Sequence, residues 1–192
     1  MTESTWLSHQ LLIAMPGMLD PRFEQSVVYL CQHNHDGAMG LIVNRASGLR
    51  FSDVLEQMQI SPADPTMEPW PVLIGGPVQP ERGFVLHTAL AGAAADDPEI
   101  ITLSPGLALS TSRDVLEALA THIGTGKALL ALGYAGWSAG QLEQEVLANA
   151  WLTVPLPEPA LLFDIPIEQR WERAAQLAGI DLSRLSSQAG HA

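Results

Sequence analysis

The chain has 192 residues, 47% of them apolar and 16% charged, with five tryptophans and a single cysteine, Cys31. A chain of that size buries about 70% of the surface its unfolded form exposes, which suits one domain and excludes both disorder and a scaffold of intrachain disulfides. Its net charge of −12, with one lysine (Lys127) and eight scattered arginines, excludes a surface built to displace phosphate counterions, so no direct nucleic-acid binding is expected.

Glu3 stands where a secretory leader would be basic, and the early apolar run Leu11–Leu19 is broken by Pro16 and Gly17, far short of the ~20 residues that span a bilayer. A cytoplasmic protein with no membrane segment is expected. Leu11–Met15 reads as a buried strand, and Asp20-Pro21 as the start of a one- or two-turn helix to Gln25. The β-branched run Val27–Gln32, the loop His33–Gly37 and the run Met39–Asn44 predict an antiparallel hairpin.

Apolar residues at Phe51, Val54, Leu55 and Met58 have helical spacing, with Ser47 or Ser52 available as a cap. Pro62, Pro65, Pro69 and Pro71 make a loop, and Val72–Gly75 and Gly83–Thr88 read as a second pair of strands. An alanine-rich loop, Ala89–Pro98, precedes a strand at Ile100–Leu103, a helix at Arg113–Ile123 and a strand at Ala128–Gly133. A helix over Ala139–Leu147 and a strand over Ala150–Val154 follow. Pro155, Pro157 and Pro159 then make a surface crossing, before a last helix closed by Gly179 and a loose tail over 186–192. Strand pairs among interspersed helices predict a single α+β domain with a mixed, largely antiparallel sheet.

Several segments carry chemistry on their face. Gly136-Trp137-Ser138-Ala139-Gly140 matches the nucleophile-elbow pattern, but the only histidine after it is His191 in the tail, and Ser138 with Gln141 reads instead as a capping box that accounts for the serine by helix chemistry alone. Gly124-Thr125-Gly126-Lys127 departs from a phosphate loop at Thr121 and Ala128, and Gly75-Gly76-Pro77 reads as a tight backbone turn. His33, His35 and Asp36 share a loop but have no second cluster of ligands, so neither a metal nor a cofactor is expected.

Cys31 alternates with Val27 and Tyr29 on one strand face, which makes it a small buried hydrophobe, although its nearness to His33 would favour a thiolate were it exposed. Ser110-Thr111-Ser112-Arg113 sets hydroxyls and a guanidinium at a helix start. That suits a carboxylate or phosphate, with Arg82 and His87 as further contributors; ordinary capping is the competing account.

Blocks spread along the chain resemble the YqgE/AlgH family. They include Leu12–Pro16, Ser26–Cys31, Gly37–Asn44, Gly75–Val78, Arg82–His87, Ser112–Leu116, Leu132–Trp137, Gly140–Glu143 and Asn149–Leu152. The resemblance implies a bifurcated, partly barrel-like sheet surrounded by helices. It implies no reaction, since the family has no established catalytic residues, and one branch is named a transcriptional regulator of alginate production without a recognisable DNA-binding motif. The functional expectation is a regulatory module that binds a small anionic ligand or a protein partner at Arg82, His87, Ser112 and Arg113. The rival is an enzyme centred on Cys31 or on Arg82, His87 and Arg113.

Overall fold

A computed structural model of the chain describes residues 6–63, 71–88, 98–121 and 126–180. The proline-rich stretch 64–70, most of the alanine-rich loop, residues 122–123 at the end of the expected Arg113–Ile123 helix, residues 124–125 of the glycine-lysine segment and the 186–192 tail lie outside the described residues. Among the described residues, no helix is long and apolar enough to cross a membrane.

Ten strands form one sheet. In chain order they are β1 (Gln10–Ala14), β2 (Val27–Asn34), β3 (Gly37–Ile42), β4 (Ala46–Arg50), β5 (Pro71–Ile74), β6 (Val78–His87), β7 (Ile100–Ser104), β8 (Leu107–Ser110), β9 (Ala128–Ser138) and β10 (Trp151–Pro155). The helices are α1 (Phe51–Gln57), α2 (Arg113–Ala120), α3 (Gln141–Leu147), α4 (Ala160–Phe163) and α5 (Arg170–Leu177). The main path runs β10-β1-β2-β3-β9-β6-β8-β7, with β4 and β5 branching from it. All pairings are antiparallel except β5 with β9, so the mixed, largely antiparallel α+β sheet is as expected.

The fork is at β9. Its first half pairs with β5 through Leu130–Leu132, while its second half pairs with β3 through Ala135–Ser138 on the same side. Between them the chain turns through Gly133 at φ +70°, and Gly75 hands the ladder over: its N–H donates to the Leu132 carbonyl and its carbonyl accepts from the Ile42 N–H, both at 2.8 Å. Gly75-Gly76 is thus a close backbone crossing rather than an isolated turn.

Alternation along the strands sorts the core into three parts. Tyr29, Cys31, Phe84, Leu86 and Leu109 join the central cluster inside the curl of the sheet, with Trp171 of α5 packed against it. Val72, Val85 and Leu130 pack with Phe51 and Leu55 of α1 and with Val115 and Leu119 of α2. Val28, Leu30, Ile42 and Trp137 pack with Leu142 of α3 and with Trp151. Arg170 of α5 is buried among apolar neighbours, where it donates to the Ile165 and Val43 carbonyls at 2.9 and 2.6 Å. Burial holds its pKa down to about 10.

Several local expectations are corrected. Residues 21–25 form turns rather than a helix, because the Asp20 carboxylate accepts from the Arg22 N–H and Gln25 adopts φ +53°. β5 and β6 are not a hairpin, since they pair with β9 instead of with each other. Arg50, not a serine, caps α1, and the Asp53 carboxylate accepts the Arg50 N–H at 3.0 Å. Gly140 caps α3. Only one half of the expected Ser138–Gln141 box forms, in which the Ser138 N–H donates to Gln141 Oε1 at 3.0 Å. β4, β8 and α4 fall in stretches to which the residue pattern assigns no element.

Candidate functional site

Where the curl of the sheet stays open, the central core continues into a groove of about 770 Å³. Met39, Phe84, Leu109 and Tyr134 form its apolar floor, with the Phe84 and Tyr134 rings edge to face at 5.7 Å. Polar groups stand around this floor: Gln32, Asn34 and Asp36 from β2 and its turn, Gln79 and Arg82 from β6, Ser110 at the end of β8 and Thr111 just after it, and Ser138 at the end of β9. Arg82 is the one cation among the described lining residues, and its guanidinium lies 5.4 Å from the centre of the Phe84 ring.

Two irregularities in the strands build this rim. The β2–β3 register slips between Leu30 and Gln32, leaving Cys31 as an extra residue. A bulge of this kind moves the following side chains to the opposite face. Cys31 therefore stays with Tyr29 in the core while Gln32, opposite Met39, and Asn34, opposite Gly37, share the groove side. His33 falls on the other face. It is buried, its Nδ1 accepts the Leu7 N–H at 3.0 Å, and its Nε2 therefore carries the proton it gives to Glu143 at 3.0 Å. On β6 the pairing with β9 lapses between Val78 and Gly83, with Gln79 at φ +48°, and this excursion carries Gln79 and Arg82.

The expected anion-binding set is split by the fold. Arg82 and the hydroxyl residues Ser110 and Thr111 line one groove. Arg113 does not: its Nε donates to Glu117 at 2.8 Å and its Nη1 to the Met58 carbonyl at 2.6 Å, so it ties the start of α2 to the end of α1. Ser112 is buried as the N-cap of α2, its hydroxyl accepting the Asp114 N–H at 3.1 Å. His87 is buried beyond the groove lining, and among the described residues no cluster of three or more His, Cys, Asp or Glu is placed to hold a metal ion.

Cys31 is 4% exposed, its thiol directed at the Tyr29 carbonyl at 3.7 Å, and burial pushes its pKa up to about 12. A thiol held protonated is a poor nucleophile. A thiol reagent is therefore expected to label the native protein far more slowly than the denatured one at neutral pH. Comparable rates in the two states would show an open path to Cys31.

His87 Nδ1 donates to the Thr88 carbonyl at 2.8 Å, which leaves Nε2 a buried lone pair without a hydrogen-bond partner. Burial, partly opposed by the Thr88 carbonyl, lowers the His87 pKa below its ordinary 6.5. The unfolded chain therefore takes up a proton that the folded chain resists. Stability from neutral His87 is fully present above pH 6.5 and is lost as pH falls from there through the lower folded pKa. Denaturation midpoints at about pH 7.5 and about pH 5.5 should differ less in His87→Phe than in the native chain. An unchanged difference would assign the pH dependence to other groups.

Ser138 is exposed on the groove rim, but no histidine is among the described lining residues, so the nucleophile-elbow match lacks the histidine base its chemistry needs there. Nothing in the residue pattern marks the carboxamides Gln32, Asn34 and Gln79 as groove residues. Their placement depends on a bulge and on a lapse in pairing, and neither has a composition signature.

Comparison with known proteins accords with this fold. The family model described as AlgH-like matches residues 11–183. The AlgH protein of Pseudomonas aeruginosa is 52% identical over 193 residues, covering all of this chain and 98% of the relative. A Methylococcus capsulatus protein is 48% identical over 190 residues, covering 99% of this chain and 98% of its own length. The solution structure of Pseudomonas aeruginosa AlgH matches with a TM-score of 0.74 at 49% identity, covering 100% of this chain and 99% of that one. A crystal structure from Corynebacterium diphtheriae, at 21% identity and a TM-score of 0.67 over 88% of this chain and 86% of its own, shares the fold.

Proposed function

The chain belongs to the AlgH-like family, and from its groove we propose that it is a cytoplasmic, non-catalytic module that binds a small ligand and acts on gene expression only indirectly. The observation that carries this reading is the groove itself. Its volume of about 770 Å³ is in the range of ligand pockets, roughly 300–1,000 Å³, and it joins an apolar aromatic floor to a few polar groups at the rim. The ligand presents a carboxylate or phosphate to Arg82 and Thr111 and an apolar body to Phe84, Met39 and Leu109. The buried Cys31 and the dispersal of His87 and Arg113 give the rival enzyme reading no assembled centre. A regulatory effect then passes through the ligand or a protein partner rather than through DNA, because a chain of net charge −12 repels a phosphate backbone.

The test is titration with 3-phenylpropionate and phenyl phosphate, read by backbone amide shifts in nuclear magnetic resonance. Shifts should concentrate at Gln32, Arg82, Thr111 and Tyr134. Replacing Arg82 with Gln should weaken binding by roughly 1.5–3 kcal/mol, the size of a charge-assisted hydrogen bond, whereas Arg113→Gln should leave affinity unchanged. Shifts elsewhere, or affinity indifferent to Arg82, would sink the groove reading.

A further inference from the structure

We infer that the groove takes a single free α-amino acid with an apolar side chain, its carboxylate on Arg82 and Thr111, its ammonium on Glu99 and its side chain against Ile101 and Leu109. This rests on the groove reading above and narrows the chemical class of its ligand.

Strand register brings these groups to one corner of the groove that they all line. The Arg82 guanidinium stands over the Phe84 ring at 5.4 Å. One step beyond the pair Val85↔Ser110, the β6–β8 ladder sets Phe84 beside Thr111. One step beyond Ile100↔Ser110, the β7–β8 ladder sets Glu99 on the other side of Thr111. Facing residues on neighbouring strands lie about 5 Å apart, so about 10 Å separates Phe84 from Glu99 at the backbone, and the side chains of Arg82 and Glu99 narrow that gap. Asp36 is outside this corner. It precedes Gly37, which pairs with Ser138 at the far end of β9, whereas Gly83, next to Arg82, pairs with Leu132.

An amino acid fits the gap between the two poles. Bonds of about 1.5 Å on either side of the α-carbon put its ammonium nitrogen about 2.5 Å from its carboxylate carbon. With a charge-assisted hydrogen bond of about 2.8 Å at each end, the molecule bridges roughly 8 Å between a guanidinium and a carboxylate. Each further residue between the poles would add about 3.5 Å, which favours a single amino acid over a peptide.

Charge and burial point the same way. A simple carboxylate held by Arg82 and Thr111 lies beside Glu99 and is opposed by it, and a phosphate dianion more so, in a chain of net charge −12. An ammonium on the adjoining carbon turns the effect of Glu99 from repulsion to attraction and leaves the ligand no net charge for the long-range field to act on. Glu99 already takes part in an interaction of its own, and a carboxylate accepts from more than one donor. Two residues along from Glu99 and Thr111, on the same faces, stand Ile101 and Leu109, themselves a facing pair. Leu109 is 4% exposed but Ile101 is 56% exposed, an open apolar wall that a side chain on the same α-carbon would cover.

The experiment is isothermal titration of the full chain with L-phenylalanine, N-acetyl-L-phenylalanine, L-phenylalaninamide and 3-phenylpropionate. Phenylalanine is expected to bind at least about tenfold more tightly than each of the others, the worth of one charge-assisted hydrogen bond. That comparison needs no variant. Glu99→Gln should erase its advantage over the N-acetyl form and 3-phenylpropionate, Arg82→Gln its advantage over the amide, and Asp36→Asn neither. Binding of 3-phenylpropionate at least as tight as that of phenylalanine, and dependent on Arg82, would overturn the amino acid while leaving the groove reading intact. An advantage of phenylalanine that survives Glu99→Gln, or that Asp36→Asn removes, would overturn the placement of its ammonium. Indifference of every probe to Arg82, or no binding by any of them, would remove both readings.

Discussion

Replacing Gly76 with alanine is expected to destabilise the protein by more than about 4 kcal/mol, the upper range for single substitutions. A Cβ built at this position lies 2.1 Å from the Tyr134 carbonyl carbon, 2.2 Å from its oxygen and 2.3 Å from the Ala135 nitrogen. All three are backbone atoms of β9, so no side chain can swing aside. Nor can β9 shift easily, because it holds β3, β5 and β6 at once. The same crossing is closed from the other side, where a Cβ on Gly133 would meet the Gly76 carbonyl at 2.5 Å. Gly17→Ala is the control: nothing lies within 4 Å of its Cβ, and a shift within about 0.5 kcal/mol is expected. Urea denaturation of both variants measures the contrast. A Gly76→Ala protein within about 1 kcal/mol of the native chain would mean that the β5–β6 connection does not cross β9 this closely.

That crossing also shows how far the sequence could be read. The Gly75-Gly76-Pro77 segment is legible as a place needing glycine, yet the partner that imposes the need, Gly133-Tyr134, is nearly sixty positions away, and no local pattern names it. The β2–β3 hairpin was legible because its alternation and its Asp36-Gly37 turn are local. β5 and β6 were legible as strands but not as neighbours of β9, since which strand a run pairs with is decided by the whole sheet. The candidate site divides the same way. Arg82 and Thr111 could be named from their chemistry, as could Arg113, but whether a guanidinium faces a groove or the carbonyls of Met58 and Gln59 depends on how α1 meets α2. Gln32 was out of reach because strict alternation from Val28 and Leu30 assigns it to the outer face, and only the extra residue at Cys31 reverses that assignment.

Removing the Glu145 carboxylate is expected to cost about 3–5 kcal/mol, through two tryptophans that the nucleophile-elbow pattern does not account for. Glu145 Oε2 accepts the indole N–H of Trp137 at 2.8 Å and of Trp151 at 2.7 Å, while Oε1 accepts from Gln141 Nε2 at 2.9 Å. The indoles are 6% and 3% exposed, their rings 5.9 Å apart at 78°, with Phe23 packed against both. Glu145→Ala leaves two buried N–H groups without an acceptor, each costing roughly 1–3 kcal/mol, more where the lost partner was charged. It also loosens α3 from β9 and β10, leaving the packing of Leu142 and Val146 and the Ser138–Gln141 hydrogen bond to hold it. Glu145→Gln keeps one acceptor oxygen and should lose about half as much. The measurement is urea denaturation followed by tryptophan emission, repeated by circular dichroism in a Trp137→Phe, Trp151→Phe background where neither N–H exists. In that background Glu145→Ala should cost less than about 1 kcal/mol, because the interaction it breaks is already gone. An undiminished cost there would show that Glu145 stabilises α3 by some route other than the indoles, and the tryptophan–glutamine–glutamate spacing would then need a different explanation.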